Sequence, residues 1–148
     1  MSQYLFAYGT LRKDYDLPVK TRIGNGLQYI GKAKLGACLY DLGHYPGAIP
    51  RAAAKAGRTG KTSRGTEVIG DVFLLRDPEK ILRALDKYEG IDDRRPGDGE
   101  FVRKKSRVTC RSGKNITAWV YWYNREPGDR PRIRYKDYLN YLKNKRTI

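Results

Sequence analysis

Tyr4-Leu5-Phe6-Ala7, followed at once by Tyr8-Gly9-Thr10-Leu11-Arg12, is the stretch on which the reading of this chain turns. A short apolar run that halts at a glycine predicts a buried strand over Gln3 to Tyr8. Where such a strand breaks, consecutive backbone N–H groups are exposed, and these can hold a small anion or a developing oxyanion. Eighty residues on, Glu89 closes a segment with helical periodicity. A carboxylate there can supply the proton transfer that backbone amides cannot. Taken alone, a Gly-Thr pair after a strand is an ordinary turn and a glutamate after a helix an ordinary solvated end.

The helix is the clearest element outside that stretch. Asp77 suits the N-cap and Pro78 the first helical position. Ile81, Leu82, Leu85 and Tyr88 share one face, and Gly90 provides the stop. Around it the chain reads as strands. Leu27 to Ala33 and Leu35 to Leu42 form two short ones, broken by glycines. A turn cluster follows at Gly43-His44-Tyr45-Pro46-Gly47, then a strand at Glu67 to Leu75. Phe101 to Cys110 and Ile116 to Tyr123 form a hairpin through Arg111-Ser112-Gly113-Lys114. Asp14 to Gly26 reads as loop, and Tyr135 to Leu142 as a final short helix with Tyr138, Leu139 and Leu142 inward. Strands without βαβ alternation, plus one firm helix, predict an α+β fold: a small mixed β-barrel or curled sheet with flanking helices.

With 148 residues the chain is expected to form a single domain over 1–148, carrying a basic loop insertion at 51–65 and a basic C-terminal tail at 130–148. The formal charge is +15, and it is segmental. The segments 51–65, 103–114 and 130–146 together carry +17, which leaves the remainder slightly acidic. This basic surface lies outside both the Tyr8-Gly9 stretch and Glu89. It reads first as a solvated face. Any binding of nucleic acid is expected to be non-specific and salt-sensitive. Neither an apolar span nor a secretory leader is evident, and Cys38 and Cys110 read as reduced thiols, so the expectation is a cytoplasmic protein without membrane association.

The exclusions narrow the chemistry. His44 is the sole histidine, no G-x-S-x-G elbow occurs, and the cysteines lack zinc-ligand spacing. Neither a phosphate loop nor a dinucleotide fingerprint is found. No metal and no cofactor is expected. What remains is chemistry that one carboxylate and a set of backbone amides can perform.

Four pieces, in order, carry a resemblance: Tyr8-Gly9-Thr10-Leu11-Arg12, Leu39-Tyr40-Asp41-Leu42-Gly43-His44-Tyr45-Pro46-Gly47-Ala48, Gly70-Asp71-Val72-Phe73 and Leu85-Asp86-Lys87-Tyr88-Glu89-Gly90. In sequence and spacing they resemble the γ-glutamylcyclotransferase-like (AIG2-like) superfamily, which includes γ-glutamylamine cyclotransferases. The strands at Phe101-Val102-Arg103 and Ala118-Trp119-Val120-Tyr121 continue the match. The resemblance implies a mixed barrel with a cavity at the Tyr8–Leu11 loop. It implies that Tyr8, Gly9, Thr10 and Leu11 bind the glutamyl group, that Glu89 is the sole acid/base, and that Tyr45 and Tyr121 stand at the rim. The implied reaction closes a γ-glutamyl amine, amino acid or peptide to 5-oxoproline and expels the amine. Burial beside Tyr88 would raise the Glu89 pKa toward neutrality. Two departures stand out. Phe101 occupies the position where the family often has the tyrosine of a Tyr-x-Arg motif, and the basic stretch 51–65 has no counterpart. The alternatives are a non-catalytic member of the fold that binds a small carboxylate, or a basic nucleic-acid-binding module, which lacks any RRM, KH or helix-turn-helix signature.

Overall fold

A computed structural model describes residues 2–9, 26–51, 66–134 and 136–146. In chain order the elements are β1 (Tyr4–Ala7), β2 (Leu27–Asp41), β3 (Pro46–Pro50), β4 (Glu67–Leu75), α1 (Pro78–Tyr88), β5 (Phe101–Cys110), β6 (Asn115–Tyr123), β7 (Arg132–Ile133) and α2 (Tyr138–Arg146). Strands β2, β4, β1, β6 and β5 pair in succession, and β5 returns to β2 at Ala33↔Cys110 and Lys34↔Thr109, closing a five-stranded barrel. Among the described strand pairs only β1–β6 is parallel, through Leu5↔Trp119, and the others are antiparallel. Strands β3 and β7 extend the sheet beside β2. The α+β mixed barrel expected from the sequence is the fold observed.

Strand β1 explains why its sequence is apolar at every position. Phe6 and Tyr8 face a cluster inside the barrel with Leu35, Val72 and Val120. Leu5 and Ala7 face outward into a second cluster, where α1 lays Ile81, Leu82 and Leu85 over Phe73, Leu75 and Tyr121. A strand covered on both faces needs no polar alternation. Leu5, Phe6 and Leu85 are fully buried, each worth about 1.5–3 kcal/mol of transfer free energy.

Three expectations are corrected. The two strands read at Leu27 to Ala33 and Leu35 to Leu42 are one 15-residue strand, β2. Its register against β4 shifts between Tyr29 and Gly31, so the glycine marks a bulge within a continuous ladder and not a break. The turn cluster at 43–47 ends early, because β3 already begins at Pro46. In the basic C-terminal segment Ile133 pairs with Leu39, and Tyr138 and Leu142, expected inward, pack on the barrel core together with Tyr141. Helix α2 begins at Tyr138, three residues later than expected. Most of the basic stretch 51–65, and of the loop expected at 14–26, lies outside the described residues.

Candidate active site

A cavity of about 400 Å³ opens where β1 ends, between the C-terminal end of α1 and the start of β5. Its walls are aromatic: Phe6, Tyr8, Tyr45, Tyr88, Phe101 and Tyr121. Gly9, Pro46 and Gly90 complete the backbone side, and two acids, Glu89 and Glu100, face the same space. The size and the mixture of apolar walls with a few convergent polar groups suit a small ligand.

Glu89 is placed by how α1 stops. It is the C-cap residue, and Gly90 follows at φ +77°, a left-handed conformation that favours glycine. Gly90 N–H donates to Lys87 O at 3.1 Å and Ile91 N–H to Asp86 O at 2.8 Å. These two bonds form a Schellman motif, with Ile91 tucked against the α1 cluster. The helix end, and Glu89 with it, is therefore rigidly set over the cavity. Helix α1 starts at Asp77 as expected, although the Asp77 side chain makes no capping hydrogen bond. Tyr88, expected on the buried stripe, is 43% exposed. It keeps the helical spacing but lines the cavity instead of joining the buried stripe.

The Glu89 carboxyl is half-buried, and its pKa is raised from 4.5 to about 7. Loss of hydration is the largest cause, and the nearby charges of Glu100 and Asp86 add to it. A carboxylate at a helix C-terminus also faces the negative end of the helix dipole. Asp86, one turn back, has a different environment. It accepts two hydrogen bonds from Arg103, at 2.7 and 3.0 Å, and one from the Tyr121 hydroxyl at 2.7 Å. Arg103 and Tyr121 are cross-strand partners on β5 and β6, and the guanidinium also lies 4.3 Å from the Trp119 ring centre. Asp86 thus fastens α1 to the barrel and is not among the described residues that line the cavity.

Tyr8 reaches the site through its hydroxyl as well as its backbone. The phenol is buried, donates to Tyr121 O at 2.7 Å and accepts from Ala48 N–H at 3.2 Å. Burial, and after it the neighbouring Glu89 charge, push its pKa far up, so the hydroxyl stays protonated. Burial also holds the Tyr121 hydroxyl protonated, helped by its bond to Asp86. Gly9 sits against β3: a Cβ there would come within 2.8 Å of Pro46 Cγ. Tyr45, the other expected rim residue, donates to Glu100 Oε1 at 2.7 Å and tilts against Phe101 at 5.8 Å.

Tyr8, Gly9, Glu89, Tyr45 and Tyr121, singled out in the sequence, thus line one cavity, while Thr10 and Leu11 lie outside the described residues. Sequence reasoning missed Glu100, Tyr88 as a cavity wall, and the Asp86–Arg103–Tyr121 cluster. A separate groove, bordered by Lys32, Arg111 and Lys114, lies at the opposite ends of β1 and β5. Among the described residues no group of three or more His, Cys, Asp or Glu side chains could hold a metal ion, and no helix is long and apolar enough to cross a membrane.

Comparison with known proteins agrees with this architecture. Residues 5–140 match the family described as "Gamma-glutamyl cyclotransferase, AIG2-like". The chain is 30% identical over 142 residues to a Methanocaldococcus jannaschii protein named "Putative gamma-glutamylcyclotransferase MJ1514", covering 92% of this chain and 98% of that one. Among solved structures, an AIG2-like protein from Mus musculus superposes with a TM-score of 0.66 at 18% identity, covering 93% of this chain and 88% of that one. The Escherichia coli protein ytfP superposes with a TM-score of 0.58 at 26% identity, covering 95% and 99%. The mouse likeness is one of fold. Barrel, cavity and family match converge, and the chain belongs to the gamma-glutamyl cyclotransferase, AIG2-like family.

Proposed function

We propose that this chain is a γ-glutamylcyclotransferase that closes the γ-glutamyl group of an amine, amino acid or peptide to 5-oxoproline and releases the amine, with Glu89 as its acid/base. The observation that carries the reading is the Glu89 carboxyl, fixed at the wall of the cavity with a pKa of about 7. A group poised there exchanges protons in both directions near neutral pH. The family's activity supports the substrate class.

The nucleophile belongs to the substrate, which accounts for a cavity whose described lining residues include no Ser, Cys or His. The α-ammonium first loses a proton to Glu89. The freed lone pair attacks the γ-carbonyl carbon, the new C–N bond closes the five-membered ring, and the carbonyl electrons move onto oxygen. Collapse of this intermediate breaks the bond to the departing nitrogen, which takes its proton from Glu89. Over the cycle the attacking nitrogen gives up two protons and the departing nitrogen gains two, so Glu89 ends as it began. The N–H groups of the Tyr8–Leu11 stretch are assigned to the glutamyl group and its developing oxyanion. The Tyr8 and Tyr121 hydroxyls are committed to internal acceptors and act by holding the wall in place.

Mass-spectrometric detection of 5-oxoproline over a panel of γ-glutamyl amines, amino acids and peptides tests the proposal. Release from at least one class is expected. Saturable binding with no release from any would leave a carboxylate-binding protein on the same fold.

A further inference from the structure

At the barrel end opposite the cavity, a turn and a bulge frame the second groove. The β5–β6 turn closes through Cys110 N–H to Lys114 O at 2.7 Å and Gly113 N–H to Cys110 O at 2.8 Å, with Gly113 at φ +94°. Arg111 N–H donates to Lys32 O at 3.3 Å, which ties this turn to β2 just past its bulge. The groove measures about 630 Å³. Tyr4, Val72 and Ile116, which pack with the barrel core, line it together with Tyr29, whose ring meets Phe73 edge-on at 5.8 Å. The charged side chains among its described lining residues are Lys32, Arg111 and Lys114.

Positive charge runs on from the groove along the outside of the barrel. Ala33, Leu35 and Val108 point into the core, so strand alternation sets Lys32 and Lys34 of β2, with Lys105 and Arg107 of β5, on the outer face. All four are exposed. Lys34 is the register partner of Thr109, two residues from Arg107, so the two strands bring their cations together. From Phe101 to Tyr123 the chain has no acid, and β2 has none before Asp41. Asp71, across from Lys32 on β4, is buried. Among the described residues none of Lys32, Lys34, Lys105, Arg107, Arg111 and Lys114 is in an ion pair. Segments 10–25 and 52–65, outside the described residues, carry eight cations between them against Asp14 and Asp16, so they bring no net negative charge.

A face kept for solubility alone mixes both signs, and like charges side by side on a sheet destabilise it. A run of phosphates removes that repulsion and releases its own counterions. Outward positions on one strand recur about every 7 Å, which suits an extended polyanion. The bases of a duplex stay paired, whereas an unpaired base can enter the groove and lie against Tyr4 and Tyr29.

We propose that this face and the groove at its end bind single-stranded nucleic acid without sequence preference, the cations taking phosphates and the groove an unpaired base. The surface lies about 30 Å from the cavity along β5, and the inference does not rest on the cyclotransferase reading.

Fluorescence anisotropy with a labelled oligouridine RNA of about twelve nucleotides tests it. Wild-type affinity should fall about a hundredfold between about 50 and 200 mM salt, a log–log slope of roughly −3 to −4. Lys34→Gln/Arg107→Gln should weaken binding about tenfold at the lower salt and flatten the slope by about 1.4, with Tm unchanged. Lys80→Gln/Arg83→Gln removes the same charge from the exposed side of α1 and should bind within about twofold of wild type. Arg111→Gln/Lys114→Gln, at the groove, should also weaken the single strand. Equal losses in the α1 and sheet variants overturn the inference, because net charge alone would then explain binding. A duplex of the same length bound as tightly overturns the single-strand assignment, and uridine monophosphate bound as tightly reduces the site to a small-anion pocket. Retention on phosphatidylserine vesicles without RNA binding makes the face a membrane surface and overturns it as well.

Discussion

Arg103 grips Asp86 through two hydrogen bonds, at 2.7 and 3.0 Å, so the carboxylate one turn before Glu89 is committed to holding α1 on the barrel. The two acids lie on neighbouring turns of one helix end and differ in what surrounds them. Asp86 meets a guanidinium and a phenol hydroxyl, whereas Glu89 meets aromatic walls and the charge of Glu100. Division of labour follows from this difference in partners.

Asp86→Asn should therefore show its effect in stability. Losing a charge-assisted pair at this part-buried position costs about 1–3 kcal/mol, which lowers Tm by roughly 2–4 °C per kcal/mol in a chain of this size. Thermal unfolding and 5-oxoproline release, measured together, check it. Loss of turnover as deep as that of a Glu89 variant, with Tm unchanged, would make Asp86 the acid/base instead.

Gly9→Val tests the cavity. The first side-chain carbon would stand 2.8 Å from Pro46 Cγ and 3.2 Å from Cδ, closer than packed carbons tolerate, and Pro46 itself lines the cavity. Relief requires the end of β1 or the start of β3 to move. Affinity for 5-oxoproline by calorimetry should fall below detection in a protein that still folds. Unchanged affinity in that variant would put the ligand elsewhere.

The elements legible in the sequence are those with a local signal. The apolar run before Gly9, the Asp77-Pro78 start and Gly90 stop of α1, and the β5–β6 hairpin each show themselves within a dozen residues. Glycine misled in β2, where Gly31 sits at a bulge that the β4 ladder continues through. Within the site, Glu89 was legible because a helix stop marks it. Glu100 was not: it ends a Gly-, Pro- and Asp-rich run without periodicity, and what positions it is Asn124 and Arg125, about 25 residues away. Asp86–Arg103 and Asp86–Tyr121 span 17 and 35 residues. No pattern along the chain announces a contact made across a barrel.

The raised Glu89 pKa predicts two pH dependences of defined sign. Folded Glu89 titrates at about 7 against 4.5 for the free side chain, so the folded protein retains a proton that the unfolded chain releases between those values. Its cost to stability is absent below pH 4.5, grows between 4.5 and 7, and is complete above 7. Glu89→Gln should match wild type at pH 4 and exceed it at pH 8 by about 1–3 kcal/mol, after solvent screening at a half-buried group. Urea unfolding at the two pH values measures this, and a variant no more stable at pH 8 would refute it. In turnover, kcat/KM should rise with pH through about 7, as Glu89 becomes a base. The limb in kcat should lie lower, because a bound ammonium favours the carboxylate.

If Glu89 carries the protons of the cyclisation, turnover of Glu89→Gln on a γ-glutamyl substrate is the decisive measurement. The amide keeps the shape of the side chain and the Schellman motif beneath it, but cannot accept a proton. The variant should fold, bind 5-oxoproline with near wild-type affinity and have kcat reduced by about 10² or more. Release of 5-oxoproline at close to the wild-type rate would contradict it.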